Sequence, residues 1–183
     1  LALVVVACAT AVALHRHRED RRRLATGPAE WIWYARAGRK PSPLRFYATR
    51  DVRLSVVPRR VEARYFVDPE YALYVNGQRV DAGRRHPGDT LVVADLAPFL
   101  RPGANRVAIE ASSPDGIGGI LFFAAADGLE AGALASSADW RVSLEASSIT
   151  QGEGRRAIVW GRPPQYPWGY PRLPGPGSSG VGN

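Results

Sequence analysis

The chain has no methionine, one cysteine and one lysine in 183 residues, and each shortage excludes something. With Cys8 alone, no internal disulfide can form, and cysteine pairing says nothing of the redox compartment. Methionine is missing even at position 1, so the chain is expected to be a fragment of a longer protein. Because Lys40 is the only lysine, the formal net charge of +7 is an arginine charge. The three histidines are scattered: His15 and His17 in a basic flank, His86 in a loop. No second ligand stands at zinc spacing, so no metal is expected. Helical periodicity of ordinary length is absent after residue 28.

Signs of catalysis are equally sparse. Ser112-Ser113, Ser136-Ser137 and Ser147-Ser148 fall in turn-forming stretches without the elbow motif of a nucleophile. The glycines at 116, 118 and 119 lack the Lys-Ser/Thr and helix of a phosphate loop. Nothing in the spacing fixes two carboxylates across a cleft. No catalytic residue and no cofactor is expected.

The basic balance, with a pI near 10.2, raises the question of a nucleic-acid partner. Its distribution answers against one. Arginines 16, 18, 21, 22 and 23 oppose Glu19 and Asp20, a net +3 that leaves +4 for everything after. In that remainder Arg45, Arg50, Arg53, Arg59, Arg60 and Arg64 alternate with apolar residues, which reads as a solvated strand face. No nucleic acid is expected.

What is present begins with an apolar run over residues 1–14, LALVVVACATAVAL, followed at once by HRHREDRRR. A full span needs about 20 apolar residues. Three readings stand: the end of a membrane helix closed by a basic stop, the core of a signal peptide, or a lipoprotein signal around Cys8. The membrane anchor is taken first. Arginines directly after a span favour the cytoplasmic side, which sets the flank against an extracytoplasmic head.

Residues 24–28 read as a linker, and short strands follow. Expected strands cover 29–34, 44–54, 61–67, 71–75, 78–80, 90–95, 106–111, 119–126, 139–144 and 157–160, with one helical turn over 96–100. In the stretch 61–67, Val61, Ala63, Tyr65 and Val67 alternate with Glu62 and Arg64, the period of a half-buried strand. Asn76-Gly77 is the strongest hairpin signal, since the favoured two-residue turn needs positive φ at both positions. From Gly161 on, proline and glycine dominate, and residues 161–183 are expected to form an extended or disordered tail. Turn-bounded strands at this spacing predict an all-β antiparallel sandwich over residues 29–160, preceded by an anchor helix within residues 1–23.

Particular words in the chain carry a resemblance. They are Trp31-Ile32-Trp33, Leu44-Arg45-Phe46-Tyr47, the stretch from Asp68-Pro69-Glu70-Tyr71 through Tyr74-Val75-Asn76-Gly77 to Val80, Asp95-Leu96, Pro102-Gly103-Ala104-Asn105-Arg106-Val107-Ala108-Ile109 and Asp139-Trp140-Arg141. Over about residues 29–145 they resemble the galactose-binding-like jelly roll. More narrowly, the chain looks like the sugar-binding domain of glycoside hydrolase family 2, and is similar to the N-terminal domain of bacterial α-L-rhamnosidases. Tyr166-Pro167-Trp168-Gly169 resembles the segment leading into a following module. The resemblance implies a non-catalytic module that binds glycan or packs on an adjacent catalytic module, with its head outside the cytoplasm. The barrel that would carry catalytic carboxylates has no counterpart here.

Sugar recognition combines an aromatic platform with planar polar groups. Trp31 and Tyr71 are the candidate platforms, and Asp68 and Glu70 the candidate hydroxyl acceptors. Alternation places Trp31 and Trp33 on one strand face. Competing structural roles are core filling for the aromatics and a turn around Pro69 for the acids. Asn76 and Asn105 are explained by turn geometry. The expected function is a membrane-tethered carbohydrate-binding or accessory module; the alternative is a structural or protein-interaction sandwich with no sugar site.

Overall fold

A computed structural model describes residues 25–35, 42–130, 132–172 and 175. The apolar run and basic flank over residues 1–23 lie outside the described residues. The expected anchor helix therefore lies outside them too; among the described residues no helix is long and apolar enough to cross a membrane.

Twelve strands follow in order: β1 (Trp31–Trp33), β2 (Leu44–Leu54), β3 (Glu62–Asp68), β4 (Glu70–Val75), β5 (Gln78–Arg84), β6 (Val92–Asp95), β7 (Gly103–Ser113), β8 (Gly119–Ala125), β9 (Leu134–Ala135), β10 (Arg141–Ser143), β11 (Arg155–Arg156) and β12 (Ile158–Gly161). The one helical turn expected over 96–100 is a 3-10 turn, Ala97–Phe99. A short helix, α1 (Ser148–Gln151), and the strands β9 and β11 were not legible in the pattern.

The strands form two antiparallel sheets. The first runs β12-β1-β8-β3-β6, with β9 also on β8; the second runs β11-β10-β2-β7-β4-β5. The β2–β7 ladder is the longest, from Leu44 opposite Ser113 to Leu54 opposite Gly103. Between the sheets lies the main core, where Phe46, Leu73, Val107 and Ile109 meet Trp33, Tyr65, Ile120 and Phe122. The chain is therefore the expected all-β two-layer sandwich.

Around β1 and β8 the first sheet is buried on both faces. Its outer face carries Trp31, Phe66 and Leu121, covered by Ala25 and Ala29 from the incoming chain and by Trp168 from the outgoing one. This explains the unbroken apolar run of β8, since a doubly covered strand needs no polar side. It also changes the expectation for residues 161–183: through residue 172 the segment packs on the sandwich, and Arg172 O accepts from Leu91 N–H at 2.8 Å.

One local irregularity redirects an aromatic. The register shifts between Trp31 and Ile32 where β1 pairs with β12. A bulge of this kind re-aims the side chains beyond it. Trp33 thus enters the inter-sheet core against Phe46, while Trp31 joins the outer cluster. The two tryptophans do not share a face.

Candidate functional site

The Asn76-Gly77 turn forms as expected, with φ of 53° at Asn76 and 80° at Gly77. Its side chain does more than tolerate the turn. Asn76 Nδ2 donates to Phe99 O and to Asn105 Oδ1, both at 2.9 Å, and Asn76 Oδ1 accepts from Arg106 N–H at 3.0 Å. Asn105 Oδ1 also accepts from Arg101 N–H at 2.9 Å, and Asn105 Nδ2 donates to Arg101 O at 2.6 Å. Two amides therefore lock the β4–β5 hairpin to the corner that starts β7.

Beside that lock lies a cleft of about 670 Å³, with Asp51, Arg53, Asn76, Arg101, Arg106 and Thr150 in its lining. Asp51 and Arg106 are cross-strand partners in the β2–β7 ladder. Their contact is bidentate, Nε to Oδ1 at 2.6 Å and Nη2 to Oδ2 at 2.8 Å. This geometry is the strong form of an arginine–carboxylate pair. The Asp51 carboxylate beside it raises the Arg106 pKa above its ordinary value. Arg106 Nη1 donates to Thr150 O on α1, so the helix is tied to the same guanidinium. Gly152, the αL cap of α1 at φ 73°, leaves room for it; a Cβ there would stand 2.3 Å from Arg106 Nη2.

The Asp51 side chain is 64% exposed and that of Arg106 19%. The carboxylate is thus oriented from within yet open to a ligand from outside. A second cleft of about 280 Å³ shares Asp51 and adds Asp139, Arg141 and Arg156. Carboxylate, guanidinium and amide groups converging on one open depression suit the hydroxyls of a saccharide. Among the described residues no group of three or more His, Cys, Asp or Glu side chains is placed to hold a metal ion.

The four residues expected from the sequence lie elsewhere. Trp31 is fully buried, stacked on Trp168, and cannot serve as an open platform in this conformation. Asp68 Oδ2 accepts from Trp168 Nε1 at 2.7 Å, and burial raises the Asp68 pKa above the ordinary carboxylate value. Glu70 is paired with Arg84 across the hairpin. Tyr71 is buried, and its hydroxyl donates to Asp81 Oδ2 at 2.7 Å, beside the hydroxyl of Tyr65 at 2.5 Å from the same oxygen. Burial, then the Asp81 bond, raises both tyrosine pKa values. Trp168 brings Trp31 and Asp68 together; Glu70 and Tyr71 join neither of them. The exposed large aromatic among the described residues is Tyr166, at 90%.

Sequence reasoning missed Asp51, Arg53, Arg101 and Arg106 as a set. The usable signal was the i, i+2 placement of Asp51 and Arg53 on one strand face. Their convergence with Arg101 and Arg106 depends on strand pairing.

No protein-family model and no curated protein matches the chain. Among solved structures it is similar to a Streptomyces avermitilis α-L-rhamnosidase complexed with L-rhamnose, at TM-score 0.67 and 18% identity, over 81% of this chain and 16% of that one. It is similar to a rhamnosidase of glycoside hydrolase family 78 from Bacillus sp. GL1, at TM-score 0.59 and 22% identity, over 81% and 20%. The apo lectin of Pleurotus ostreatus matches at TM-score 0.62 and 20% identity, over 79% and 45%. The chain thus spans about a fifth or less of the two rhamnosidases and under half of the lectin. These likenesses establish the fold: a two-sheet antiparallel β-sandwich that resembles parts of two rhamnosidases and of a lectin.

Proposed function

We propose that this chain is a non-catalytic carbohydrate-binding module whose ligand lies in the cleft at Asp51 and Arg106. The observation that carries the reading is the carboxylate of Asp51, held by a bidentate arginine yet 64% exposed beside two amide-locked corners. A pre-organised, open acceptor of that kind suits paired sugar hydroxyls. A lectin and rhamnosidase domains among the structural neighbours support the same class.

The test is retention of the folded protein on a panel of immobilised glycans, repeated with Asp51→Asn. Retention of one glycan class by the wild type, reduced by the substitution, is expected. A folded sample that no glycan retains overturns the reading.

Burial of Trp31, Trp33 and Tyr71 favours a second reading, a structural or protein-interaction sandwich with no sugar site. The polar cleft weighs against it, since that reading also expects a flat surface lacking polar groups.

The apolar run over residues 1–14 supports a further part of the proposal, a membrane tether; that the head is extracytoplasmic and packs on a catalytic module rests on the resemblance alone, and the basic flank stands against the first of these. Recovery of the full chain in the membrane fraction after alkaline washing is expected, and its loss to the supernatant counts against the tether.

A further inference from the structure

Arg53, Arg106, Arg141 and Arg156, far apart in the sequence, gather on one strip of the second sheet. On β2, Thr49, Asp51 and Arg53 point to the outer face. Arg141 stands opposite Thr49, Arg156 opposite Arg141, and Arg106 opposite Asp51. The two clefts meet at Asp51, so the strip is continuous. Arg50 also lines it but is committed to Ala133 O and Asp139.

We infer that the strip binds an anionic glycan, a saccharide chain carrying carboxylate or sulfate groups at intervals. The inference deepens the carbohydrate-binding reading and rests on it.

Two observations and the chemistry of arginine carry it. Arg53, Arg141 and Arg156 are exposed, and among the described residues their side chains make no ion pair or hydrogen bond. Arg141 faces Arg156 directly across the β10–β11 ladder. Like charges in that position repel, and an anion between them removes the repulsion. A guanidinium offers a planar fork that matches a carboxylate or sulfate edge.

The spacing then selects a chain over a small ion. From the Thr49 row to the Arg53 row is four residues, roughly 13 Å at about 3.3 Å each. That exceeds the screening length of about 8 Å at physiological ionic strength, so one small anion engages one end only. A chain with repeating charges engages both.

The strip also carries Asp51 and Asp139, both largely exposed. They repel an unbroken phosphate backbone but accept the hydroxyls that separate the charges of an acidic saccharide. Neither cleft is lined by an aromatic ring on which a base would stack. Glycan is favoured over nucleic acid on both counts.

The test uses the full chain in mild detergent against four probes: polygalacturonate, heparin, a neutral galactan and single-stranded DNA. Retention by polygalacturonate, heparin or both, weakening with added salt, is expected, and the two arms separate carboxylate from sulfate recognition. Arg53→Ala and Arg141→Ala should each lower the affinity about tenfold. Arg59→Ala, an exposed arginine off the strip, should leave it unchanged. Arg156→Gln is a second strip variant should either alanine variant lose its strand signature by circular dichroism. Binding to galactan alone overturns the anionic inference and leaves the carbohydrate reading standing. Binding to nothing overturns both. DNA binding equal to or tighter than glycan binding, or affinity indifferent to the strip arginines, also overturns the inference.

Discussion

Trp168 lies flat on Trp31, with ring centroids 4.5 Å apart and planes inclined by 22°. Trp31 opens the sandwich and Trp168 closes it, so this stack joins the two ends of the domain over the outer face of the first sheet. The Trp168 indole then donates to Asp68 at the end of β3. A segment rich in proline and glycine becomes part of the fold through one large ring.

Trp168→Ala should therefore destabilise the domain by about 3 kcal/mol, the usual effect of emptying a buried aromatic site. Urea unfolding followed by far-ultraviolet circular dichroism measures it. A loss below about 0.5 kcal/mol would mean that the segment beyond Gly161 contributes nothing to the fold.

Asp68 supplies a pH dependence with a definite sign. Burial raises its pKa, while the Trp168 bond and His86 at 3.9 Å act against the rise. Between the ordinary value of 3.8 and the raised one, the folded chain holds more protons than the unfolded chain. Stability from this group accordingly falls as pH rises through that window. Asp68→Asn keeps an oxygen for the indole and removes the titration. Its melting temperature should vary less with pH above 3.8 than the wild type's, and equal or exceed it at neutral pH.

At the hairpin, Asn76→Ala loses three side-chain hydrogen bonds and puts a residue that disfavours it at φ 53°. A loss of about 2–3 kcal/mol is expected. Asn76→Gly, which restores the backbone freedom but not the bonds, should recover roughly 1 kcal/mol of it. Denaturant midpoints of the two variants separate the contributions, and equal midpoints would deny any role to the turn geometry.

Gly152→Ala tests the seat of Arg106. Its φ of 73° and the 2.3 Å approach to Arg106 Nη2 leave no space for a methyl group. The guanidinium must shift, and the left-handed backbone at residue 152 separately adds about 1 kcal/mol of strain. Glycan affinity should fall with it, read by titration calorimetry, while the strand spectrum is unchanged. Unaltered affinity would mean that Arg106 does not orient the site.

Much of the architecture was legible because tertiary structure agreed with local pattern. The stretch 44–54 is read to the residue, since its alternation is long and turn residues bound it. The strand after Asn76-Gly77 runs past Val80 to Arg84, held where Asp81 takes two tyrosine hydroxyls from other strands, a contact with no local trace. Two-residue β9 is too short to show a period. The site was less legible than the fold. Trp31 is on the outer face of the first sheet, but Trp168 stacks on it and Ala25 and Ala29 cover it, contacts across the chain with no local trace. Arg53, Arg106, Arg141 and Arg156 become neighbours only through pairing of β2, β7, β10 and β11.

The most direct measurement of the binding account is a map of backbone amide shifts in the folded protein as glycan is added. Perturbations gathered at residues 51–53, 104–106 and 149–150 are the expected result, because those residues line the cleft around Asp51. Saturable shifts gathered instead around Trp31, Tyr71 or Tyr166, or no shifts with any glycan, would contradict it.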